Sequence, residues 1–284
     1  MLNRLLFFFR PSQHRWIYPL LSFLVAFGLI TSSPQPSQAV PWFDLIRQGV
    51  QVIQLSNVSD KEEIQLGQQI NEQMVGREFR LYRNQSVNDY VNRVGDRLAE
   101  NSTRPNLPYK FQVVESDTVN AFATAGGYVY VTTELLKTAD NEAELASVIG
   151  HEIGHIAHRH LIKQMRETAI AGSVATAAGV DRNQAVQIGV ELALRRPNSR
   201  QDEYEADQAG LTTLSRAGYA ESAMVSFMEK LLKQGGSTPT FLSTHPATKN
   251  RIARLKKAID PQKGNIGDGL DSADYRANIR PLLS

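Results

Sequence analysis

Two histidines with a glutamate between them lie inside a strongly apolar helical stretch of this 284-residue chain. The segment is His151-Glu152-Ile153-Gly154-His155, and since a helix advances about 100° per residue, both imidazoles project from one face, one turn apart. Glu152 points about 100° away, beside anything that the histidines bind. Histidines among leucines and isoleucines need a polar partner to offset their desolvation, and a metal ion supplies one. The spacing predicts a zinc-binding helix; the alternative is a pair of surface histidines on an ordinary helix.

An acidic segment further along the chain offers a third metal ligand. The segment Glu203-Tyr204-Glu205-Ala206-Asp207 follows on another predicted helix. A catalytic zinc site takes three protein ligands and keeps a fourth position open, so we predict Glu203 as the third ligand of one Zn²⁺ per chain. Asp207 lies one turn further on and is predicted to accept a hydrogen bond from the free nitrogen of a ligand histidine. Glu205 is the rival ligand, but it lies about 200° around the helix from Glu203. The alternative for all three acids is a solvated helix face.

The composition of the chain excludes several classes of protein and one class of partner. The chain has no cysteine, which excludes disulfide scaffolds, thiol proteases and Cys-ligated zinc modules, and leaves any metal to histidines and carboxylates. Arg4, Arg10 and Arg15 are the only charged residues in 1–39, so without that segment the net charge of +2 falls by three, to −1. No basic footprint for nucleic acid is left, and we expect no nucleic-acid partner.

The first 39 residues have the layout of a secretory signal. Three arginines accompany an apolar run over 16–30, and small residues end at Ser37-Gln38-Ala39. The run is shorter than the about 20 residues that span a bilayer, so we predict a signal peptide over 1–39, cleaved after Ala39. A retained membrane anchor is the alternative. Either way, we expect export to the periplasm or cell envelope, with membrane association possible if the leader is kept.

The rest of the chain predicts an α+β, mainly helical fold with a small β-sheet. Apolar periodicity and capping residues predict helices over 59–74, 86–100, 142–166, 201–216, 222–234 and 247–259. Aromatic and β-branched residues predict strands over 109–115 and 128–133. Residues 169–194 are rich in alanine, glycine and valine, but polar residues divide them, which favours packing in a core over a membrane hairpin. We predict one domain over 40–260 and a C-terminal tail over 261–284.

Four segments together resemble a known family. They are 151–155, Ser199 to Asp207, Asn120 to Val131, and Ser243-Thr244-His245-Pro246 followed by Arg251-Ile252. They resemble the zinc metallopeptidase family of the CAAX prenyl endopeptidase, the HtpX heat-shock protease and the periplasmic protease BepA. The chain is most similar to the soluble BepA-like members, but it lacks their long helical-repeat extension, and it lacks convincing internal membrane spans.

The resemblance implies a gluzincin-like metalloprotease domain with an active-site helix and a second metal-ligand helix. It implies His151, His155 and Glu203 as ligands and Glu152 as the general base that takes a proton from a zinc-bound water. The implied function is an exported zinc endopeptidase in quality control of unfolded or misassembled envelope proteins. The alternative is a zinc-binding chaperone or assembly factor that holds clients without cutting them. The carboxylate of Glu152 argues against that alternative, since a structural zinc needs no such group.

The remaining candidate residues concern the substrate. Gly126 and Gly127 form a turn into a strand that begins with Tyr128 and Val129, and we predict these four as a substrate-binding edge to which an extended peptide adds as a strand. An interior strand is the alternative.

His245, on a loop beside Pro246, is predicted as a catalytic residue that either stabilises the oxyanion or occupies the fourth zinc position as a reversible plug. A helix-capping histidine is the alternative. We interpret His158 and His160 as structural residues or as neighbours of the ligands.

Overall fold

The structure is a computed structural model that describes residues 52–172, 179–233, 239–246 and 249–283. Their helices are α1 (Asp60–Met74), α2 (Gln85–Glu100), α3 (Thr133–Thr138), α4 (Glu142–Ala157), α5 (His160–Ala171), α6 (Arg182–Arg195), α7 (Arg200–Arg216), α8 (Ser222–Lys233), α9 (Thr240–Thr244), α10 (Lys249–Ala258) and α11 (Ser272–Asn278). Their strands are β1 (Val52–Ile53), β2 (Lys110–Val114), β3 (Ala121–Ala123), β4 (Tyr128–Thr132) and β5 (Val180–Asp181). The predicted α+β, mainly helical fold with a small sheet is confirmed.

The main sheet has the order β2-β4-β3, with β4 in the centre. β4 runs parallel to β2 and antiparallel to β3. Alternate side chains of β4 enter two apolar cores: Val129 and Val131 belong to a core that includes residues of α2, α4 and α8, whereas Tyr128 and Tyr130 belong to one that includes residues of α1, α5 and α6. The sheet therefore separates two helical layers, and its central strand is buried on both faces.

Local capping signals fix the helix starts as the sequence predicts. Ser59 and Glu62 form a capping box at the start of α1, where the hydroxyl accepts from the Glu62 amide and the carboxylate accepts from the Ser59 amide. The side chain of Asn141 accepts a hydrogen bond from the Glu144 amide and caps α4, the helix that carries the histidine pair.

Glycines let α4 and α7 approach until their backbones touch. A Cβ atom on Gly154 would lie 2.6 Å from the carbonyl oxygen of Ala206, and one on Gly210 would lie 2.9 Å from the amide nitrogen of His151. Both distances are shorter than van der Waals contact, so only glycine allows this crossing. The contact brings the histidines of α4 and the acids of α7 to one place.

The predicted helix over 142–166 is wrong in one respect, because it is two helices. α4 ends at Ala157 and α5 begins at His160, and between them Arg159 adopts a left-handed conformation with φ 54°. The Arg159 guanidinium pairs with the Asp60 carboxylate and, at 3.0 Å, with the buried Glu63 carboxylate. These ion pairs hold a conformation that is uncommon outside glycine. The predicted pattern also missed β1, β3 and β5 and the short helices α3, α9 and α11.

The structure describes the predicted C-terminal tail but not the predicted leader. The predicted leader over 1–39 lies outside the described residues, and the domain boundaries stay predictions. Within the tail, α11 and the residue after it place Tyr275 and Ile279 in the larger core. Among the residues that the structure describes, no helix combines the length and the apolar character that crossing a bilayer requires.

Candidate metal centre

Four buried side chains from three elements point donor atoms at one spot. His151 and His155 come from α4, Glu203 from α7, and His245 from the residue after α9. The Nε2 atoms of His151 and His155 are 3.0 Å apart, and Nδ1 of His245 lies 3.2 Å from Nε2 of His151. Glu203 Oε1 lies 3.1 Å from His245 Nδ1 and 3.4 Å from His155 Nε2. The structure thus brings together the three predicted ligands and His245.

These separations fit a metal cation. In a tetrahedral site with bonds of about 2.0–2.2 Å, neighbouring ligand atoms lie about 3.3–3.6 Å apart. His151 lies 3.0 and 3.2 Å from the other two imidazoles, and Glu203 lies 3.1 to 3.5 Å from all three. Ring nitrogens that face each other this closely repel unless a proton or a cation lies between them. Two imidazoles and a carboxylate form a donor set typical of transition metals, so the residues present fit a metal ion.

The second nitrogen of His151 faces a closed, charged network. His151 Nδ1 lies 3.1 Å from Asp207 Oδ1, the position predicted for Asp207. Arg251 donates to both oxygens of Asp207 at 2.6 and 2.7 Å and also pairs with Glu203 at 2.5 Å. Every member of this network is less than a tenth exposed. The Asp207 carboxylate keeps the proton of a neutral His151 on Nδ1 and so fixes the tautomer. The lone pair of Nε2 then points toward the metal position.

The second nitrogen of His155 faces a different network. His155 Nδ1 lies 2.9 Å from Nδ1 of His160, and Nε2 of His160 lies 3.0 Å from Glu205. Glu205, the rival ligand from the sequence, therefore does not join the four-residue centre. It contacts His160 at the protein surface, where its side chain is 35% exposed.

The electric field in the centre favours positive charge. Burial raises the pKa of Glu203, but His245, His151 and His155 outweigh it and hold that pKa well below its usual range. Burial lowers the pKa of His151, yet Asp207 and Glu203 outweigh burial and raise it to about 9. Burial lowers the pKa of His155 to about 3. Glu203 is therefore anionic, His155 keeps a free lone pair, and a proton on His151 takes the place of a cation.

Glu152 lies beside the four donors as the spacing predicts. Its side chain is 1% exposed, and neither carboxylate oxygen has a side-chain hydrogen-bond partner among the described residues. Burial raises its pKa. Glu152 borders a cleft that also reaches His155 and the β3 residue Ala123. A carboxylate with free lone pairs at the wall of a cleft can accept a proton there.

His245 lies inside the centre. Its ring stacks on Phe241 with centroids 4.8 Å apart, Nδ1 faces the ligands, and Nε2 lies 3.4 Å from a Glu152 oxygen. Its backbone carbonyl accepts from Arg251 at 3.2 Å, and the Asn198 amide lies 3.2 Å from Nδ1. The ring therefore contacts both the ligands and the predicted base.

The predicted substrate edge at Gly126, Gly127, Tyr128 and Val129 is wrong. β4 has partners on both sides, so it has no free edge, and all four residues are buried. Gly126 and Gly127 have φ 73° and 96°, and Cβ atoms there would meet the backbones of α1 and of Tyr109. The glycines serve a tight turn and close packing. The strand with one side unpaired by any described strand, and with a residue on the cleft, is β3.

Sequence reasoning missed two residues that support the ligands. Arg251 entered the sequence analysis only as part of a segment that resembles the family. A single arginine carries no signal for a buried contact with acids more than forty residues away. His160 carried a weak signal, since it follows the ligand helix at a spacing of five from His155. Its contact depends on the turn at Arg159, which local periodicity does not reveal.

Two imidazoles from one helical turn, a glutamate from a second helix and a free carboxylate beside them define a metallopeptidase centre of the gluzincin kind. The chain belongs to peptidase family M48, whose family model matches residues 85–259. That stretch contains every predicted metal ligand and both predicted catalytic residues. The family resemblance inferred from the motifs is confirmed, and with it the enzyme class, a metalloendopeptidase, at the level of the family.

Named relatives extend the comparison. The beta-barrel assembly-enhancing protease of Escherichia coli (strain K12) is 33% identical over 243 residues, which cover 80% of this chain and 50% of the relative. The mitochondrial metalloendopeptidase OMA1 of Schizosaccharomyces pombe is 30% identical over 174 residues, which cover 59% of this chain and 52% of the relative. The chain thus spans about half the length of these relatives.

Proposed function

We propose that the protein is a zinc-dependent endopeptidase whose general base is Glu152. The observation that carries the proposal is the Glu152 carboxylate, which is 1% exposed, lies next to a four-residue donor set and has no side-chain hydrogen bond among the described residues. Burying a carboxylate is costly, so a site that keeps one beside a set of metal donors has a use for it. A centre that only held a metal for structural reasons would gain nothing from this group.

The chain's own residues divide the reaction between them. His151, His155 and Glu203 would hold Zn²⁺, which when bound polarises a peptide carbonyl and makes water more acidic. Glu152 accepts a proton from the attacking water and returns it to the leaving amine nitrogen. Its raised pKa brings it closer to the proton affinity that this exchange needs. Asp207 and Arg251 keep His151 oriented while charge changes nearby.

The substrate is proposed to bind at β3 in place of the rejected β4 edge. β3 has one side unpaired by any described strand, and Ala123 lies on the cleft wall with Glu152. An extended peptide that pairs with β3 would be held by backbone hydrogen bonds and would pass the base. Such binding tolerates many sequences, which suits unfolded protein substrates.

His245 is proposed to close the resting site. Its Nδ1 occupies the position of a fourth ligand, 3.1 to 3.2 Å from Glu203 and His151, and its Nε2 faces Glu152. A zinc site with four protein ligands has no position for water or substrate and is silent. The contact with the ligands favours this role over the oxyanion role, and the ring has to leave before a peptide can reach the base.

The location and substrates are proposed from the sequence and the relatives. The arginine-flanked apolar run before Ala39 supports export to the periplasm or cell envelope. One relative's name links a similar protease to beta-barrel assembly. Quality control of unfolded or misassembled envelope proteins combines both.

The test is digestion of casein by wild type, Glu152→Gln and His245→Ala, with zinc measured on each. We expect Glu152→Gln to lower the rate by about 10²- to 10⁴-fold while zinc is retained, because the change removes only the base. His245→Ala should raise the rate. Equal activity of wild type and Glu152→Gln would refute the proposed base. A rate that falls in His245→Ala would refute the closed resting state and favour the oxyanion role.

A further inference from the structure

A second cluster of metal-binding side chains lies behind the first. His158, His160 and Glu205 each place one donor atom within 4.8 Å of the others. Glu205 Oε2 lies 3.0 Å from His160 Nε2 and 3.9 Å from His158 Nδ1. The three come from the end of α4, the start of α5 and α7. The turn at Arg159 brings the two histidine rings face to face, with centroids 5.4 Å apart.

The second cluster differs from the first in its access to solvent. The side chains of His158 and Glu205 are 43% and 35% exposed, whereas His160 is 2% exposed. An ion can therefore arrive from the surface without entering the cleft. Ligand atoms in a tetrahedral site lie about 3.3 Å apart, so Nδ1 of the exposed His158 ring, now 3.9 Å from Glu205 Oε2, has to move only a short distance to join the site.

Other polar groups surround this cluster without filling it. Gln201 donates to the far oxygen of Glu205 at 2.6 Å, which leaves Oε2 to the histidines. Asp202 Oδ1 lies 3.8 Å from His160 Nε2 but already accepts from Lys163 at 2.8 Å. The donor set is thus two imidazoles and one carboxylate, with water to complete the coordination.

We propose that His158, His160 and Glu205 form a second, weaker site for a transition-metal cation such as Zn²⁺. Two imidazoles and a carboxylate bind zinc, nickel and copper better than calcium or magnesium, which prefer oxygen. The site is weaker than the first because two of its side chains are exposed and unrestrained.

The two sites are coupled by the hydrogen bond between His155 and His160. A neutral His155 that binds a metal through Nε2 carries its proton on Nδ1 and donates to His160 Nδ1, 2.9 Å away. If His160 binds the second ion through Nε2, its own proton moves to Nδ1, and two N–H groups then face each other. Filling both sites breaks this hydrogen bond, so each ion weakens the binding of the other. This coupling, unlike the second site itself, depends on the proposed function.

The experiment counts Zn²⁺ ions and does not measure activity. Metal-free protein is dialysed against buffers of fixed free Zn²⁺, and bound zinc is measured by mass spectrometry. Wild type should take up one ion tightly and a second at higher free zinc. His158→Ala and Glu205→Gln should weaken the second ion by about tenfold or more, while the first ion still binds at lower free zinc than the second. Glu191→Gln, on an exposed carboxylate that pairs with Arg195, is the matched control and should bind like wild type.

His151→Asn separates this inference from the proposed function. It removes the first ion and frees His155 Nδ1 to accept, so the second site should bind more tightly than in wild type. Two results would overturn the second site: wild type that saturates at one ion and loses it in His151→Asn, or a second ion that His158→Ala and Glu205→Gln leave unchanged. A second ion that weakens in His151→Asn would overturn the coupling. A single ion that persists in His151→Asn but is weakened in Glu205→Gln would refute the first site and leave this one standing.

Discussion

His151 and His155 are one turn apart on α4, yet their second nitrogens meet opposite surroundings. Behind His151 lies the pair of Asp207 and Arg251, both almost completely buried. Behind His155 lies His160, and behind that Glu205, whose side chain is 35% exposed. One ligand is fixed by a permanent ion pair, the other by a neutral ring that can donate or accept.

The difference shows how one centre can combine rigidity with adjustment. The Asp207 side cannot change its charge or orientation without breaking a buried ion pair, so it sets the geometry. The His160 side ends at the Glu205 carboxylate, which is 35% exposed and therefore in contact with solvent. Three predictions sharpen this contrast, beginning with the largest effect.

Arg251→Met should destabilise the metal-free protein strongly. The guanidinium lies between the carboxylates of Glu203 and Asp207, and its loss leaves two buried acids facing each other. We expect the free energy of unfolding to fall by about 3–5 kcal/mol, measured by urea denaturation. Arg195→Met, which breaks an exposed ion pair with Glu191, is the control and should have no measurable effect. Similar stabilities for the two variants would show that the buried network does not support the fold.

Asp207→Asn should lower zinc affinity at the first site by about 10- to 100-fold, because the carboxylate no longer fixes His151. Glu205→Gln should lower this zinc affinity by less. Glu205 is partly exposed, and it reaches the ligand His155 only through two successive hydrogen bonds by way of His160. Competition with a chelator measures both. If the two variants lose affinity equally, the two sides are equivalent and the contrast is wrong.

The pH dependence of the metal-free protein should have two opposite limbs. The pKa of His151 is raised to about 9, so its contribution to stability is complete below the unfolded pKa of about 6.5 and is lost as pH rises toward 9. Burial lowers the pKa of His155 to about 3, so its contribution is present above about 6.5 and is lost as pH falls. Urea midpoints between about pH 5 and about pH 9 measure both limbs.

Each limb has its own variant. Asp207→Asn should flatten the alkaline limb, because His151 loses the carboxylate that raises its pKa. His155→Asn should flatten the acid limb. A limb that persists in its variant would assign that pH dependence to other groups.

Local sequence predicted the parts of this molecule that depend on local physics. The histidine spacing placed both ligands on one face, and Ser59 and Asn141 marked helix starts through short-range hydrogen bonds. The angle between the acids of α7 indicates that only one of Glu203 and Glu205 can face the histidines, and Asp207, one turn beyond Glu203, together with the family resemblance favours Glu203. The fold class and the family followed from these elements and motifs.

Contacts between distant segments could not be predicted in the same way. The break after Ala157 depends on ion pairs between Arg159 and acids about a hundred residues earlier. β3 has three residues, too few for a periodic signal, and without β3 the central strand β4 resembles an edge. The position of Arg251 depends on how α10 packs on α7.

The crossing of α4 and α7 at Gly154 and Gly210 has a consequence for how the enzyme is loaded. Because backbone touches backbone there, the spacing of the ligands is set by peptide atoms, which cannot adopt other rotamers. Folding of the chain therefore bears the entropic cost of bringing the ligands together, and the ion binds to a preorganised site. Maturation becomes a question of ion supply.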